Sequence, residues 1–499
     1  PVLVFFLHPD RRIKRWFFPN QEILENQSTR YGNLVVTRQA GQLNFYENNS
    51  LQFYTENRTD SEEAVHFPMA LHENPKQVLL LSGGISGMLA EIEKYPVEKI
   101  TYLENNPETY RLWKERTHSE GSRVSFVKAD IRTFLKRDHT RYDVILIHLP
   151  PPSSLGINRF YTREFFQLIK EHCREGSIVC TSLPSTLNYP GQQALDARAS
   201  LWKTLGLQFS YRRLLPGGRD YFLASDRPLP SGITSLLAEK GIETAYVHAG
   251  YIDDELMERR GKEQTAQFDP KVRVNSDAHP YLFSKAISHW FDFMDAGYIA
   301  WILLPVVLFL FLMLRMKPVT LGVYVGGFTA ASLEVALMFA WQVFFGGLYG
   351  ASALFFALFM GGLALGSHST WSRGGEVRMK HFSLIQYSLA ALSLLLPFFL
   401  NFIGKMGGFS IGAQVMLMIP VFFLSYAIGL EFQLASRLRN LSFSEISGIH
   451  YSADLIGSAF GAYLCALFLL PVLGLFCTAL ALTVLNVFSG TLALFVRRG

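Results

Sequence analysis

The sequence predicts an α/β domain with a doubly wound, mostly parallel sheet, which follows a small β-meander and precedes a polytopic all-α membrane domain. Three observations predict this order: short strand patterns around turn residues, then strands alternating with helical patterns, then long apolar runs. We expect residues 1–75 to form the N-terminal segment and meander, 76–282 the α/β domain, 283–296 an interfacial linker helix, and 297–499 about seven membrane helices.

The excess of positive charge begins where the apolar runs begin, near residue 296. There are 46 Lys and Arg against 41 Asp and Glu, and residues 1–295 hold 36 of each sign, so the net charge of +5 belongs to the apolar part. The basic pI therefore indicates cationic loops between membrane helices, and we predict no nucleic-acid partner. The four cysteines form no CxxC or Cys/His cluster, and we predict no metal site.

The meander is predicted from residues 32–55, "GNLVVTRQAGQLNFYENNSLQFYT". Turn signals at Gly32-Asn33, Ala40-Gly41 and Asn48-Asn49 separate three strand-like pieces. Such spacing is typical of antiparallel strands joined by tight turns.

The α/β domain is predicted from strands that alternate with helical patterns. That alternation favours a parallel sheet covered by helices on both faces. The predicted strands lie at 77–82, 99–104, 124–128, 143–148, 177–182, 208–214 and 220–225.

A glycine-rich turn, "LLLSGGISG", follows the first of these strands. Gly83, Gly84 and Gly87 there would let a cofactor approach the backbone at a helix N-terminus. Glu104 ends the second strand, where an acid commonly binds ribose hydroxyls, and Asp130 follows the third. Together they resemble the nucleoside pocket of a methyltransferase-like (Rossmann-like) fold. The alternative is that the glycines only permit a tight turn between strand and helix.

The stretch "YDVILIHLPPPSS", residues 142–154, reads as a buried strand followed by a rigid loop. Ligands of α/β sheets bind in the loops that follow the carboxyl ends of strands. This loop carries His148 and three prolines and has no carboxylate. His148 is the candidate general base, and the alternative is a strand-end histidine hydrogen-bonded to a neighbour.

Seven apolar runs approach or exceed the roughly 20 residues that cross a bilayer. They lie near 297–316, 320–345, 349–367, 383–404, 410–436, 452–472 and 474–496. Gly457 and Gly461 form a GxxxG pair that suits close helix contact.

Three acids lie within these runs or at their ends. Such acids usually face the interior of a bundle or water, where they serve a proton or cation path or fix packing. For Glu334 both roles stay open. We expect Asp454 to cap the start of a helix and Glu431 to be a packing acid near a helix end.

Loop charges predict the orientation. If each run crosses once, nine Lys and Arg fall on one side and Lys405 alone falls on the other. The positive-inside rule then places the C-terminus in the cytoplasm and the α/β domain outside it, in an inner or plasma membrane.

Several quoted motifs resemble the membrane-fused branch of the spermidine synthase-like (polyamine aminopropyltransferase) family. "STRYGNLVV", "EEAVHFP" and "LLLSGGISG…YLENN" match its soluble landmarks over about residues 20–230, and "GFTAASLEVALMFAWQ" matches its membrane part. The resemblance implies a β-meander, a methyltransferase-like sheet and a decarboxylated S-adenosylmethionine donor. In this branch the sheet domain can lie between two membrane bundles, so the resemblance implies a further bundle upstream of Pro1.

The chain departs from the family at the chemical positions. Ile85 stands where the glycine-rich turn of soluble spermidine synthases carries an acid that holds the donor's amino group. His148-Leu149-Pro150-Pro151 replaces an Asp-x-x-Asp whose carboxylates deprotonate and orient the attacking amine. His66, within "EEAVHFP", matches a family landmark, and we expect a structural role for it at the junction of meander and sheet.

These departures predict a degenerate site, that is, a non-catalytic domain that binds a ligand or docks a partner within a membrane complex. The predicted partners are the bilayer and other membrane or extracytoplasmic subunits. One alternative is an active aminopropyltransferase or another S-adenosylmethionine-type transferase. Another alternative is a carrier or channel that uses Glu334. We assign no cofactor, unless the pocket binds decarboxylated S-adenosylmethionine or a related nucleoside.

Overall fold

The computed structural model of this chain describes the residues 16–29, 31–55, 57–104, 106–117, 123–185, 191–293, 298–371, 378–405, 411–438 and 446–495. The chain divides into two units. The first is Pro1–Ser153 with Phe160–Asn275, and the second is Ser154–Arg159 with Ser276–Gly499.

The first unit begins with an antiparallel meander in the order β1-β2-β3-β4. The prediction of an antiparallel meander is confirmed, although it contains one strand more than the three predicted pieces. The missed strand has the mostly polar sequence EILENQS, which lacks the apolar alternation of its neighbours. The strands are β1 (Glu22–Ser28), β2 (Asn33–Gln39), β3 (Gln42–Glu47) and β4 (Ser50–Tyr54).

A seven-stranded sheet follows, in the order β10-β11-β9-β8-β5-β6-β7. Strands β9, β8, β5, β6 and β7 are parallel, whereas β11 and β10 join as an antiparallel edge. Each predicted strand is present, and the prediction of a mostly parallel sheet is confirmed. The strands are β5 (Gln77–Leu81), β6 (Lys99–Leu103), β7 (Val124–Phe126), β8 (Tyr142–Ile147), β9 (Cys173–Pro184), β10 (Tyr211–Pro216) and β11 (Arg219–Ser225).

Apolar runs explain why β5 and β8 lie at the centre of this sheet. Residues Tyr142 to Ile147 of β8 and Val78 to Leu81 of β5 are all buried, as expected of strands covered on both faces. The helices between Arg58 and Ala266 are α1 (Arg58–Leu71), α2 (Met88–Ile92), α3 (Pro107–Thr117), α4 (Ile131–Arg137), α5 (Leu155–Asn158), α6 (Arg163–Glu171), α7 (Gln192–Leu205), α8 (Ile233–Glu239) and α9 (Asp254–Ala266). Of these, α5 belongs to the second unit.

Glu62 fastens the loop after α8 to helix α1. Its carboxylate is fully buried and accepts the backbone N–H groups of Ala245, Tyr246 and Val247 at 2.7–3.2 Å. Burial alone would raise the pKa of Glu62, but these donors outweigh it and lower the pKa below its ordinary value. The stabilisation is therefore present above the ordinary pKa of Glu and is lost as the pH falls through the lowered folded-state pKa.

Long apolar helices make up most of the second unit. They are α10 (Tyr281–Phe293), α11 (Tyr298–Arg315), α12 (Pro318–Phe345), α13 (Tyr349–Trp371), α14 (Met379–Lys405), α15 (Ile411–Leu438), α16 (Ser452–Leu464) and α17 (Gly474–Phe495). Residues Ile446–Tyr451 and Cys465–Leu473, on either side of α16, are π-helical.

Within the described residues, five helical stretches are long and apolar enough to cross a membrane, which fits the prediction of a membrane protein. The predicted number was about seven, and two features of the helices account for the difference. The predicted runs 452–472 and 474–496 fall in one stretch, Gly448–Phe495, which bends at Gly474, where φ is +81°. The first run becomes a shorter apolar helix, Ile299–Arg315. The orientation in the membrane stays a prediction.

Small residues set the spacing of the helices in this unit. A Cβ atom on Gly457 would lie 2.1 Å from the carbonyl oxygen of Tyr324, and one on Gly461 would lie 2.2 Å from that of Phe328. The GxxxG pair thus packs directly on the backbone of α12, as predicted. Asp454 was expected to cap a helix, and this is wrong. The π-helical turn Ile446–Tyr451 precedes α16, so Asp454 lies inside a continuous helical stretch.

We predict that Glu62→Gln frees the loop after α8. A neutral amide offers one acceptor oxygen in place of a charged carboxylate, and hydrogen bonds to charged groups are worth about 1.5–3 kcal/mol. Hydrogen–deuterium exchange of the full chain should show the amides of Ala245 to Val247 exchanging about tenfold faster, or more. Glu263→Gln, on the exposed face of α9, is the matched control and should leave these amides unchanged. Equal protection in Glu62→Gln would contradict this role.

Candidate functional site

The candidate site lies where the strand order of the sheet reverses, between β5 and β8. From β5 the chain runs outward through β6 and β7, then returns to β8 on the other side of β5. This reversal opens a crevice at the carboxyl ends of the two strands. The backbone N–H of His148 donates to the carbonyl of Leu81 at 2.9 Å, so the loop after β8 touches the end of β5.

A cavity occupies this crevice. Its enclosed volume is about 120 Å³, and counting its open mouth gives about 700 Å³. Small-molecule sites usually enclose about 300–1,000 Å³, so the enclosed part is small for a nucleoside. The lining comprises Leu34, Phe45, Glu47, Leu51, Gln52 and Phe53 of the meander, together with Ser82, Gly83, Glu104, Asn106, Thr109, His148, Leu149, Pro150, Pro151 and Arg219.

The glycine-rich turn makes room for side chains of the protein itself. A Cβ atom on Gly83 would lie 2.6 Å from Cδ2 of His148, and one on Gly84 would lie 2.5 Å from Cζ of Tyr102. Gly83 also has a φ of +83°, which other residues rarely adopt. The helix that follows, α2, has only five residues. These contacts favour the interpretation in which the glycines permit a tight, well-packed turn.

Glu104 lies at the cavity with its carboxylate already hydrogen-bonded. The Ser82 hydroxyl donates to its Oε2 at 2.6 Å, the Tyr102 hydroxyl donates to its Oε1, and the residue is 2% exposed. Asp130 instead caps α4, where its Oδ1 accepts from the backbone N–H and the hydroxyl of Thr133. Of the predicted nucleoside-binding residues, Gly83 and Glu104 line the cavity, whereas Gly84, Gly87 and Asp130 do not.

His148 is paired with a carboxylate that the sequence did not single out. Its Nε2 lies 3.4 Å from Oδ2 of Asp60, on α1, and the Tyr221 hydroxyl donates to Oδ1 of Asp60 at 3.1 Å. Burial would raise the pKa of Asp60, but His148, the nearby Arg219 and the Tyr221 hydroxyl outweigh burial and lower it to about 2. Asp60 is therefore ionised at neutral pH.

Two other carboxyls near the cavity have raised pKa values. Burial raises the pKa of Glu47 to about 7, against a hydrogen bond that its Oε1 accepts from the Asn106 amide at 3.0 Å. Burial, with help from the charge on Asp60, raises the pKa of Glu63 to about 7, although the Gly218 N–H donates to it at 2.7 Å. Both carboxyls thus change charge near neutral pH.

The loop after β8, which contains Pro150, Pro151 and Pro152, is hydrogen-bonded from two sides. Arg219 donates from Nε to the Ser182 hydroxyl at 2.8 Å and from Nη2 to the carbonyl of Leu149 at 3.5 Å. The Tyr161 hydroxyl donates to the carbonyl of Pro150 at 2.9 Å. These bonds fix the loop in place beside the cavity.

The glycine-rich turn carries one buried apolar residue, Ile85. Ile85, at the position of the family's acid, is 3% exposed and packs in the hydrophobic core. An apolar side chain offers no partner to an ammonium group.

The other candidate residues lie away from this cavity. His66 is buried, with Nδ1 2.8 Å from the Tyr95 hydroxyl and Nε2 2.9 Å from Oε2 of Glu91, which supports its structural role. Glu334, Glu431 and Asp454 lie in the helices of the second unit. In the part of the chain that the structure describes, no three His, Cys, Asp or Glu side chains are grouped to hold a metal ion.

Four residues near His148 were not predicted from the sequence, namely Asp60, Glu63, Arg219 and Tyr221. They lie in two stretches rich in charged and aromatic residues, "TDSEEAVHF" and "GGRDYFLAS". Nothing in their spacing shows that the two stretches meet, because α1 and β11 are far apart in the chain. Only the folded sheet brings them to His148.

We predict that Gly83→Ala destabilises the α/β domain more than Gly41→Ala. Both glycines have a positive φ, +83° and +88°, so both variants carry similar backbone strain of about 1–2 kcal/mol. Only the methyl group at position 83 would collide with His148, since nothing lies within 4 Å of a Cβ on Gly41. Thermal unfolding of the full chain should give the lower midpoint for Gly83→Ala. Equal midpoints would show that His148 does not fill this space.

Known proteins are similar to this chain over part of its N-terminal domain. A family model for the spermine/spermidine synthase domain matches residues 58–197. The polyamine aminopropyltransferase of Oceanobacillus iheyensis is 32% identical over 168 residues, which is 32% of this chain and 33% of that protein. That of Leptospira interrogans is 28% identical over 191 residues, 36% of this chain and 37% of that protein.

The chain thus spans about a third of the length of these curated relatives. The crystal structure of spermidine synthase from Thermotoga maritima aligns with 17% identity and a TM-score of 0.40, over 49% of this chain and 88% of that one. From the match over residues 58–197 we conclude that this chain carries a spermine/spermidine synthase domain in its N-terminal half, joined to a C-terminal region of apolar helices.

Proposed function

We propose that the N-terminal domain binds a small cationic amine of the polyamine class and does not transfer an aminopropyl group to it. One observation carries this proposal. At the end of β8, the ring of His148 fills the space over Gly83 and pairs with Asp60, where the family's Asp-x-x-Asp would stand.

The charges at the cavity support the binding of an amine. Glu47 and Glu104 line the cavity, and the ionised Asp60 lies behind His148. A carboxyl that is short of solvent gains from a cationic partner, because the partner restores the interactions that burial removed. The printed names of the relatives, polyamine aminopropyltransferases, point to the polyamine class.

The same geometry argues against transfer. An amine must lose a proton before it attacks a carbon atom, and a base must lie within about 2.6–3.2 Å of that proton. The Nε2 atom of His148 faces Asp60 instead, and Pro151 has no side-chain atom that accepts a proton. Ile85 leaves the donor's amino group without a partner. Docking of a partner protein stays a prediction of the sequence.

We predict that spermidine binding tightens as the pH rises through 7. A polyamine stays cationic over this range, while Glu47, whose pKa is about 7, becomes charged. Calorimetric titration of the full chain between pH 6 and 8 should show this trend. Glu47→Gln should reduce the trend, because Glu63 then remains as the other carboxyl that changes charge near pH 7, and it should weaken binding at pH 8 by about tenfold.

Glu22→Gln is the matched control for that experiment, because Glu22 lies on β1 with its side chain 65% exposed. It should bind spermidine as the parent does. Failure of the parent to bind at millimolar spermidine, or unchanged binding in Glu47→Gln, would contradict the proposal.

A second candidate function is aminopropyl transfer with His148 as the base. The distance of 3.4 Å between His148 and Asp60 favours it, because a carboxylate that orients an imidazole is the usual partner of a catalytic histidine. This candidate predicts that the parent forms methylthioadenosine from decarboxylated S-adenosylmethionine and putrescine. His148→Gln should abolish that activity, and His248→Gln, on an exposed loop, should retain it. The first proposal predicts no product above the blank in any of the three proteins.

A further inference from the structure

A buried polar seam crosses the apolar helices of the second unit. We define it by five residues from three helices, Ser383 and Gln386 of α14, Glu431 of α15, and Asn486 and Ser489 of α17. Each of these residues is at most 2% exposed. Polar groups at such depth are costly unless they have partners, and they therefore mark candidate functional sites in membrane proteins.

Gln386 and Glu431 form the centre of the seam. The Nε2 atom of Gln386 donates to Oε1 of Glu431 and to the carbonyl of Gly322, on α12, at 3.1 Å. The carbonyl of Gly322 can only accept, so the amide cannot be turned around, and Oε1 of Gln386 points away from that carbonyl.

One face of α12 contacts both Glu431 and Asn486. A Cβ atom on Gly326 would lie 2.2 Å from Oε2 of Glu431, and Asn486 donates to the Thr329 hydroxyl at 2.7 Å. Gly322, Gly326 and Thr329 are spaced i, i+4 and i+7, so they share one face of α12. Gly326 and Thr329 are three residues apart, or about 4.5 Å along the helix axis.

Helices α14 and α17 also contact each other directly. A Cβ atom on Gly490 would lie 2.9 Å from Cβ of Gln386, so α17 touches α14 one residue beyond Ser489. Asn486 lies one helical turn before Gly490. Gln386 of α14, Glu431 of α15 and Asn486 of α17 thus all contact the same face of α12.

Five oxygen atoms of this seam are left without a hydrogen-bond partner among the described residues. Three belong to a carboxyl or to side-chain amides, and two are hydroxyls. They are Oε2 of Glu431, Oε1 of Gln386, Oδ1 of Asn486, Oγ of Ser383 and Oγ of Ser489. Asn486 uses its Nδ2 on Thr329 and on the carbonyl of Leu482. Each of these five oxygens can therefore accept a further donor or coordinate a positive charge.

No Lys or Arg among the described residues compensates Glu431 or the neighbouring Asp454. Asp454 lies on the adjoining side of α12, where its Oδ1 would be 2.7 Å from a Cβ on Gly327. A carboxylate in an apolar bundle is stable only with a counter-charge or a proton.

We propose that this seam binds one alkali-metal cation. Carboxylate, amide and hydroxyl oxygens are the ligands that hard cations prefer. A single positive charge would neutralise Glu431 and at the same time give the unpartnered oxygens a shared partner. The glycine at position 326 lets the carboxylate approach the backbone of α12, which a larger residue would prevent. This proposal is independent of what the N-terminal domain binds.

The test is thermal unfolding of the full chain in lipid nanodiscs, titrated with LiCl, NaCl or KCl at constant ionic strength against N-methylglucamine chloride. A ligand of the folded state raises the midpoint in a saturable way, by about 5 °C at a hundredfold excess over Kd. Glu431→Gln should remove this rise. Glu334→Gln, the same change in α12 outside the seam, should keep it.

Asn486→Ala removes one oxygen without changing the charge, and it should raise the apparent Kd of the preferred cation severalfold. It keeps the proposal testable if Glu431→Gln fails to fold. Equilibrium dialysis with radioactive sodium, or with rubidium if potassium is preferred, should give one ion per chain. A midpoint that responds to pH but to none of the three cations would mean that Glu431 takes only a proton. That result, or a cation effect that survives in Glu431→Gln, would overturn the proposal.

Discussion

The parallel pairing of β5 with β8 is the interaction on which the candidate site depends. It places the glycine-rich turn beside the loop that begins at His148, and the two segments then pack so closely that a methyl group on Gly83 would collide with the histidine ring. The crevice of an α/β sheet is normally open to a ligand at this point. Here the protein's own rings fill part of it, which leaves an enclosed volume of about 120 Å³.

The pairing of β5 with β8 also decides which charged residues meet at the site. His148 meets Asp60 because α1 packs over the ends of these strands, and Arg219 reaches the loop from β11. Asp60 stays ionised, whereas Glu47 and Glu63 have pKa values near 7 because burial outweighs their hydrogen bonds. The proposed binding of a cationic amine rests on these charges.

Local patterns predicted most of the fold, because strand alternation and long apolar runs are properties of neighbouring residues. Strand β1 was missed because it is mostly polar, and Asp454 was misplaced because a π-helical turn before it has no sequence signal. His148, Gly83 and Glu104 were found from motifs at strand ends. Asp60, which pairs with His148, and Arg219, which bonds to the loop after it, were not found, because those contacts join distant parts of the chain and exist only after folding.

The most direct test of the central claim is an experimental structure of the full chain with spermidine and methylthioadenosine both present at saturating concentration. We predict density for the amine beside Glu47 and Glu104 and none for the nucleoside, with the hydrogen bonds from Ser82 and Tyr102 to Glu104 intact. Nucleoside density at the glycine-rich turn, with Glu104 rotated to a ribose and the His148 ring displaced from Gly83, would contradict it. Such a result would favour a live transferase site.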